Sequence, residues 1–409
     1  MYIRGNGLGL TWQQGQQLTY NGNDVWSINV TYMRTLYGYT CQQCTQGNYL
    51  PNNKLQYRIF VDDNTDMLGA NFVVEFPLSK TSSYFLDKPE FTVYPWFYTK
   101  KGTIQAFTVN SNIIDNLRHL GFYLPPSFHE NMYKSYPGMF AFDLGGSNGT
   151  YIPLDTLEEP IYPHNIAVEY IVIGFGDYGS PAGSRTSLLT PTPGYSVNCI
   201  NGTFADQCGG CFPNDANITE MLHYLHKCAK TSPNGGQGDD TLDFLLYEVL
   251  PEALNLTNNR IDNSSLGIMG YSLGGLMSCY AAWTRPQYFK YAACQSPSFW
   301  WPINNNLTTV SFDFINKTMR NESLWTNRLV QKIYLDAGGA EQESPFNLTQ
   351  STVEAAELMA TNNRLSLNHN LWLHIAPGSD HSSVEYLKRL WLALGTIYKA
   401  PGDPAMPSN

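Results

Sequence analysis

A serine set between glycines, Gly270-Tyr271-Ser272-Leu273-Gly274, follows the apolar run Ser265 to Gly270 and precedes Gly275-Leu276-Met277-Ser278, a segment able to form a helix. Strand, sharp turn and helix are what a nucleophile elbow requires. Flanking glycines let a strained turn approach neighbouring backbone, and the helix start offers N–H groups where negative charge develops. A serine hydroxyl is a weak nucleophile until a base takes its proton, so a histidine is expected downstream at another strand end. His381 fits. It is reached from the strand-like NLWLHIA through Pro377-Gly378-Ser379-Asp380 and precedes the last helical segment. His374 lies inside that strand and reads as a packed or hydrogen-bonded side chain, while His223 and His226 would have to serve from an insertion.

The carboxylate that orients the imidazole should lie between serine and histidine in chain order. The segment Ile333 to Glu343 offers Asp336, Glu341 and Glu343. Glu341, in the loop after the glycine pair, is favoured, with Asp336 at the strand end and Glu343 as alternatives. A tetrahedral intermediate needs two hydrogen-bond donors. The N–H of Leu273 is one candidate, and Leu144 or Gly145, after the strand-like PGMFAFDL, supplies the other. Asp143, Tyr271, Trp300 and Trp301 lie near expected strand ends and are candidate substrate contacts, although the tryptophans are equally credible as packing. Arg185 could position an anionic substrate or form a structural salt bridge. Acyl transfer by this constellation requires neither metal nor other cofactor.

The elements that must position these residues alternate. Beyond Lys101-Gly102-Thr103, strand-like AFTVNS, HLGFYLP, PGMFAFDL, VEYIVIGF, SLGIMG, KYAACQS, VQKIYLDAG and NLWLHIA are interleaved with helical segments. Examples are DTLDFLLYEVLPEAL and the amphipathic SSVEYLKRLWLALGTIY. Such alternation predicts an α/β-hydrolase with a mostly parallel sheet and a site beyond the carboxyl ends of its strands. Residues 1–103 read as a small all-β sandwich, through DVWSINVTY, KLQYRIFVDD, NFVVEFPL and FTVYPWFY. Residues 104–400 form the expected catalytic domain. Two stretches read as surface insertions: 194–238, with four cysteines and a Gly-rich end, and 303–327, dominated by Asn and Thr.

Charge and composition narrow the partners. Lys plus Arg number 24 against 34 Asp plus Glu, a formal net charge of -10, and no basic block is present. A nucleic-acid backbone or an anionic membrane surface would repel such a chain. No apolar run of about 18 residues is available to span a bilayer, and the start, MYIRGNGLGLTWQQG, has no signal-peptide pattern. Sequons at Asn29, Asn148, Asn201, Asn217, Asn255, Asn263, Asn306, Asn316, Asn321 and Asn347 nevertheless point to N-linked glycans and a secreted, extracellular or lysosomal protein. Cys41, Cys44, Cys199, Cys208, Cys211 and Cys228, in polar loops, read as disulfides. A zinc site built from Cys208 and Cys211 with His223, His226 or Cys228 is the sharper alternative. Cys279 and Cys294 lie in apolar contexts, where they either pair or remain buried thiols.

Over residues 104–400 the chain resembles the putative-esterase family of α/β-hydrolases, which includes enterochelin esterases, feruloyl esterases and S-formylglutathione hydrolases. The phrases that carry the resemblance are NLRHLGFYLPPSF, LYEVLPEAL, IMGYSLGGLMSCYAAW, ACQSPSFWW, YLDAGGAEQE and APGSDHSSVEYLKRLWLAL. The resemblance implies Ser272, His381 and Glu341 as the triad, although some relatives depend chiefly on a Ser-His dyad. Asp143-Leu144-Gly145-Gly146 departs from the Asp-Gly or His-Gly more familiar at the oxyanion loop. The first 100 residues resemble a starch-binding or immunoglobulin-like module, in which Trp12 and Trp26 could stack on sugar. The expected activity is carboxylic ester hydrolysis on an aryl, feruloyl or short-acyl ester, small or carbohydrate-linked. Alternatives are a siderophore-type lactone esterase, a secreted acyltransferase and a non-catalytic carbohydrate-binding protein.

Overall fold

A computed structural model describes residues 1–29, 54–75, 92–144, 154–176, 178, 184–194, 199–200, 203–204, 234–302, 310–321, 330–341, 347–361 and 365–400. Its centre is an eight-stranded sheet. The strands run, edge to edge, Leu371–Ala376, Lys332–Gly338, Phe289–Gln295, Ile261–Tyr271, Tyr136–Phe142, Ile171–Phe175, Leu117–Leu124 and Thr103–Asn110. The first six are mutually parallel and the last two add antiparallel. All five residues of Ile171–Phe175 are buried, because helices cover both faces and leave no polar side to alternate with. This is an α/β-hydrolase fold, as the alternation of segments predicts.

On one face Leu242, Val249, Leu276, Met277, Ala355 and Met359 pack against Phe140, Ile173 and Ile268. On the other, Leu390, Leu394 and Ile397 of the last helix, Ser383–Ile397, pack with Leu157 against Met139, Val172 and Met269. The long helix before the elbow spans Gly238 to Leu256, with a π turn at Leu245–Val249. Pro251 sits just beyond that turn and lacks the N–H that would continue the ordinary ladder, which accounts for the wider turn there. A disulfide joins Cys279, in the helix Leu273–Thr284, to Cys294 in the neighbouring strand, both fully buried.

The amino-terminal residues form a smaller antiparallel sheet, ordered Gln16–Gln17, Tyr2–Gly5, Lys54–Val61 and Thr65–Asp66, with Phe72–Glu75 also paired to Lys54–Val61. A separate hairpin pairs Thr19–Gly22 with Val25–Ser27. Ile3, Leu10, Leu55, Ile59 and Met67 give this part its own core. Two small antiparallel sheets therefore precede the main one, in keeping with the all-β reading of this part of the chain. Trp12 and Trp26 are each more than a third exposed, and Trp26 contacts Tyr20 across the hairpin.

Two expectations change. FTVYPWFY is not a strand over its described residues. The N–H groups of Phe97, Tyr98 and Thr99 donate to the Glu130 carboxylate instead of to a ladder, and Trp96 is buried against Gly69. The stretch 303–327 is not all surface loop: Phe314–Met319 is a π-helical turn whose Phe314, Ile315 and Met319 enter the main core. Of the six cysteines in polar loops, Cys41, Cys44, Cys208, Cys211 and Cys228 lie outside the described residues. Cys199 is placed only as part of the short strand Cys199–Ile200, paired with Thr203–Phe204.

Candidate active site

Ser272 stands between the strand Ile261–Tyr271 and the helix Leu273–Thr284 with φ 60 and ψ −118. A non-glycine residue adopts positive φ at a cost and keeps it only where its surroundings over-determine it. They do so here: Ser272 N–H donates to Gln295 O at 3.0 Å and Ser298 N–H donates to Ser272 O at 3.0 Å. The glycines make the turn possible. A Cβ on Gly270 would come 2.7 Å from the Gly274 backbone, and one on Gly274 would come 2.7 Å from Asp143 Oδ2.

Around this serine three chain segments converge. His381 Nε2 lies 3.0 Å from Ser272 Oγ, and His381 Nδ1 lies 3.0 Å from Glu341 Oε2. His381 directly precedes Ser382, whose side chain caps the last helix by accepting from Glu385 N–H, so the cap fixes where the imidazole leaves the chain. The ring of Tyr271 stacks on it at 4.7 Å and on Tyr386 at 5.1 Å. Burial, and then the charge of Glu341, push the Tyr271 phenol well up, keeping it neutral. The Glu341 side chain has no exposure, whereas that of His381 is 36% exposed: the acid is sealed and the base faces solvent.

Glu341 is thus the carboxylate placed on the imidazole. Its Oε1 accepts from Ser296 Oγ at 2.7 Å and Gly338 N–H at 2.9 Å. Asp336 is directed elsewhere, accepting from Gln295 Nε2 at 3.0 Å and Ser296 N–H at 3.2 Å, with Arg389 Nε 3.3 Å away. Burial pushes its carboxyl above the usual range, opposed by Arg389 and those donors. Glu343 lies outside the described residues. His374 remains in its strand, where burial lowers its pKa while Asp336 acts in the opposite sense.

Leu273 opens the elbow helix, so its N–H belongs to the group that a helix leaves without an internal acceptor. Leu144 follows the strand Tyr136–Phe142 by way of Asp143, at φ 64, and is buried. Gly145 lies outside the described residues. Asp143 and Arg185 form a closed bidentate pair, Nε to Oδ1 and Nη2 to Oδ2 at 2.7 Å each, with Tyr178 Oη donating to Oδ1 at 2.9 Å. Arg185 also reaches Tyr271 O at 3.3 Å. The pair therefore ties the end of one strand to the elbow. Trp301 is corrected from pocket wall to core: at 1% exposure its indole N–H donates to Thr192 O, while Trp300 is half-buried beside it.

Ser296, Ser298 and Arg389 belong to the site without having been singled out from sequence. Ser298 Oγ is 3.1 Å from Ser272 Oγ. Arg389 is buried among apolar residues three positions after Tyr386, and that helical phase was the readable signal. Chemically, the arrangement can move a proton from Ser272 Oγ to His381 Nε2 while Glu341 opposes the imidazolium charge.

Residues 213–390, which include all three of these groups, match the model of a family described as "Putative esterase". A segment of 66 residues is 36% identical to the siderophore triacetylfusarinine C esterase of Aspergillus fumigatus; it is 16% of this chain and spans only 22% of that relative. Among solved structures, siderophore hydrolase EstB from Aspergillus nidulans is 18% identical with TM-score 0.50, over 78% of this chain and 100% of that one. An IroE-like serine hydrolase from Shewanella oneidensis is 16% identical with TM-score 0.49, over 72% and 80%. The likeness to EstB carries the fold, and the family match supports an ester-hydrolase activity.

Proposed function

We propose that this chain is a serine-dependent carboxylic ester hydrolase working through an acyl-Ser272 intermediate. The observation that carries the reading is the continuous relay from Ser272 Oγ through His381 to the sealed Glu341, each step at 3.0 Å. Ser272 Oγ attacks the ester carbonyl carbon as its proton passes to His381 Nε2. The tetrahedral intermediate then collapses, and the leaving alkoxide takes that proton. Water adds to the acyl-enzyme with His381 again accepting a proton, and the acid departs as Ser272 is reprotonated. Leu273 N–H, with Leu144 or Gly145, serves the oxyanion in this reading. No step calls for a cofactor.

An aryl, feruloyl or short-acyl ester is the proposed substrate. A siderophore ester is the second reading, favoured by the segment shared with the Aspergillus fumigatus esterase. The ten sequons and the buried Cys279–Cys294 bond support a secreted glycoprotein. The test is a product-resolved screen over aryl, short-acyl and macrocyclic siderophore esters, with and without an acceptor alcohol. Free acid from wild type but not S272A is expected. Acyl transfer to the alcohol in place of acid release would reassign the chain as a transferase. Firm glycan binding without reaction would make it a binding protein.

A further inference from the structure

The last helix, Ser383–Ile397, carries an arginine into the protein: Arg389 is 5% exposed, on the stripe that also buries Tyr386, Leu390 and Ala393. A guanidinium is tolerated out of water where anions and acceptors meet it. Its Nε lies 3.3 Å from Asp336 Oδ1, and its Nη2 lies 3.8 Å from Glu341 Oε1 while donating to Ser296 Oγ at 2.8 Å. Ser296 passes that contact on, its hydroxyl donating to Glu341 Oε1 at 2.7 Å. The opposite oxygen of the same carboxylate faces His381. Ser296 is held at φ 40, with its N–H on Asp336. A non-glycine residue kept in that region marks a position its surroundings enforce, here the one that sets its hydroxyl between guanidinium and carboxylate.

We propose that Arg389 is a positioning residue for the reaction described above, keeping Glu341 ionised and turned toward His381 so that the imidazole remains a proton acceptor for Ser272. The inference rests on the esterase reading. Asp336 alone would give Arg389 a counter-ion; the bridge through Ser296 to Glu341 is what ties the cation to the relay. The other titratable groups facing this network are Tyr334 and Asp336 on Lys332–Gly338, His374 on Leu371–Ala376, Tyr271 at the end of Ile261–Tyr271, and His381 and Glu385 at the last helix. Glu341 Oε2 and His381 Nδ1 are a hydrogen-bonded pair at 3.0 Å, so the charge of Arg389 acts on both. Removing the positive charge makes that pair take up a proton more readily, so the acid limb of the kcat profile moves to higher pH. Each unit of movement costs about tenfold in rate below the limb. A purely structural contact would lower kcat equally at all pH values.

The test is kcat and KM for p-nitrophenyl acetate from about pH 5 to about pH 9 in wild type, R389K, R389M and D336N/R389M. The double variant removes the Asp336–Arg389 pair together and so avoids stranding a buried carboxylate if R389M alone does not fold. Expected are an acid limb raised by about one unit in R389M, KM nearly unchanged, restoration of the limb by R389K, and a limb still raised in the double variant. An unmoved limb in R389M, or a return to the wild-type limb in the double variant, overturns the inference while the esterase reading stands. Wild type inactive toward every ester overturns both.

Discussion

Replacing Glu341 by Gln keeps the shape of the acid and changes only its donors and acceptors. The carboxylate accepts from Ser296 Oγ, Gly338 N–H and His381 Nδ1. A glutamine has one oxygen and one NH2 to divide among the same partners. With the NH2 toward Ser296 and Gly338, the Gly338 N–H meets another donor in a sealed site, at about 1–3 kcal/mol. The oxygen therefore stays on Ser296 and Gly338, and the NH2 turns to the imidazole. Nδ1 must then accept, Nε2 must carry the proton, and the ring no longer accepts from Ser272. The loss of a carboxylate to the wrong tautomer in this kind of relay is about 10⁴ in kcat, or ~5 kcal/mol of barrier. The assay is steady-state hydrolysis by E341Q, with KM expected to stay within about threefold and kcat to fall by about three to four decades. A kcat within about threefold of wild type would refute the reasoning and leave Ser272 and His381 working as a dyad.

Two further outcomes follow from other parts of the molecule. Cys279 and Cys294 are 15 residues apart and fasten the elbow helix to its neighbouring strand, so C279A/C294A should lose about 3 kcal/mol by the loop-closure argument, read as a lower Tm; an unchanged Tm would show that the bond does not contribute. Glu158 is pushed up by burial and, to a smaller extent, by the charge of Asp155, against the N–H of Gly102 and the charge of Lys101. A carboxyl whose folded pKa exceeds its unfolded value gains stability as pH falls through the folded value toward the unfolded one. Wild-type Tm should therefore hold up better on acidification over that window than that of E158Q, and parallel Tm curves would contradict the shift.

Much of the site could be read from sequence because its parts sit where strands end. Ser272 and His381 follow apolar strands through glycine-bearing or polar turns, and those local patterns carry their own geometry. Glu341 could be narrowed to three residues and no further, since Asp336 faces Arg389 by virtue of sheet register and helix docking, neither of which is a local property. Arg389 was hidden beside Lys388, a charged neighbour that is mostly exposed; only helical phase distinguishes them. FTVYPWFY has strand-like composition, but its backbone donors were claimed by a carboxylate thirty-odd residues away at Glu130. Phe314 and Ile315 were masked by the surrounding sequons, and Trp301 by its place next to a strand end, where core and pocket look alike.

The most direct measurement is active-site labelling of Ser272 by a fluorophosphonate, read by peptide mass, alongside ester hydrolysis by wild type and S272A. Stoichiometric label on Ser272 and loss of nearly all hydrolysis in S272A are expected. Label on another residue, or hydrolysis retained by a folded S272A protein, would contradict the assignment of Ser272 as nucleophile.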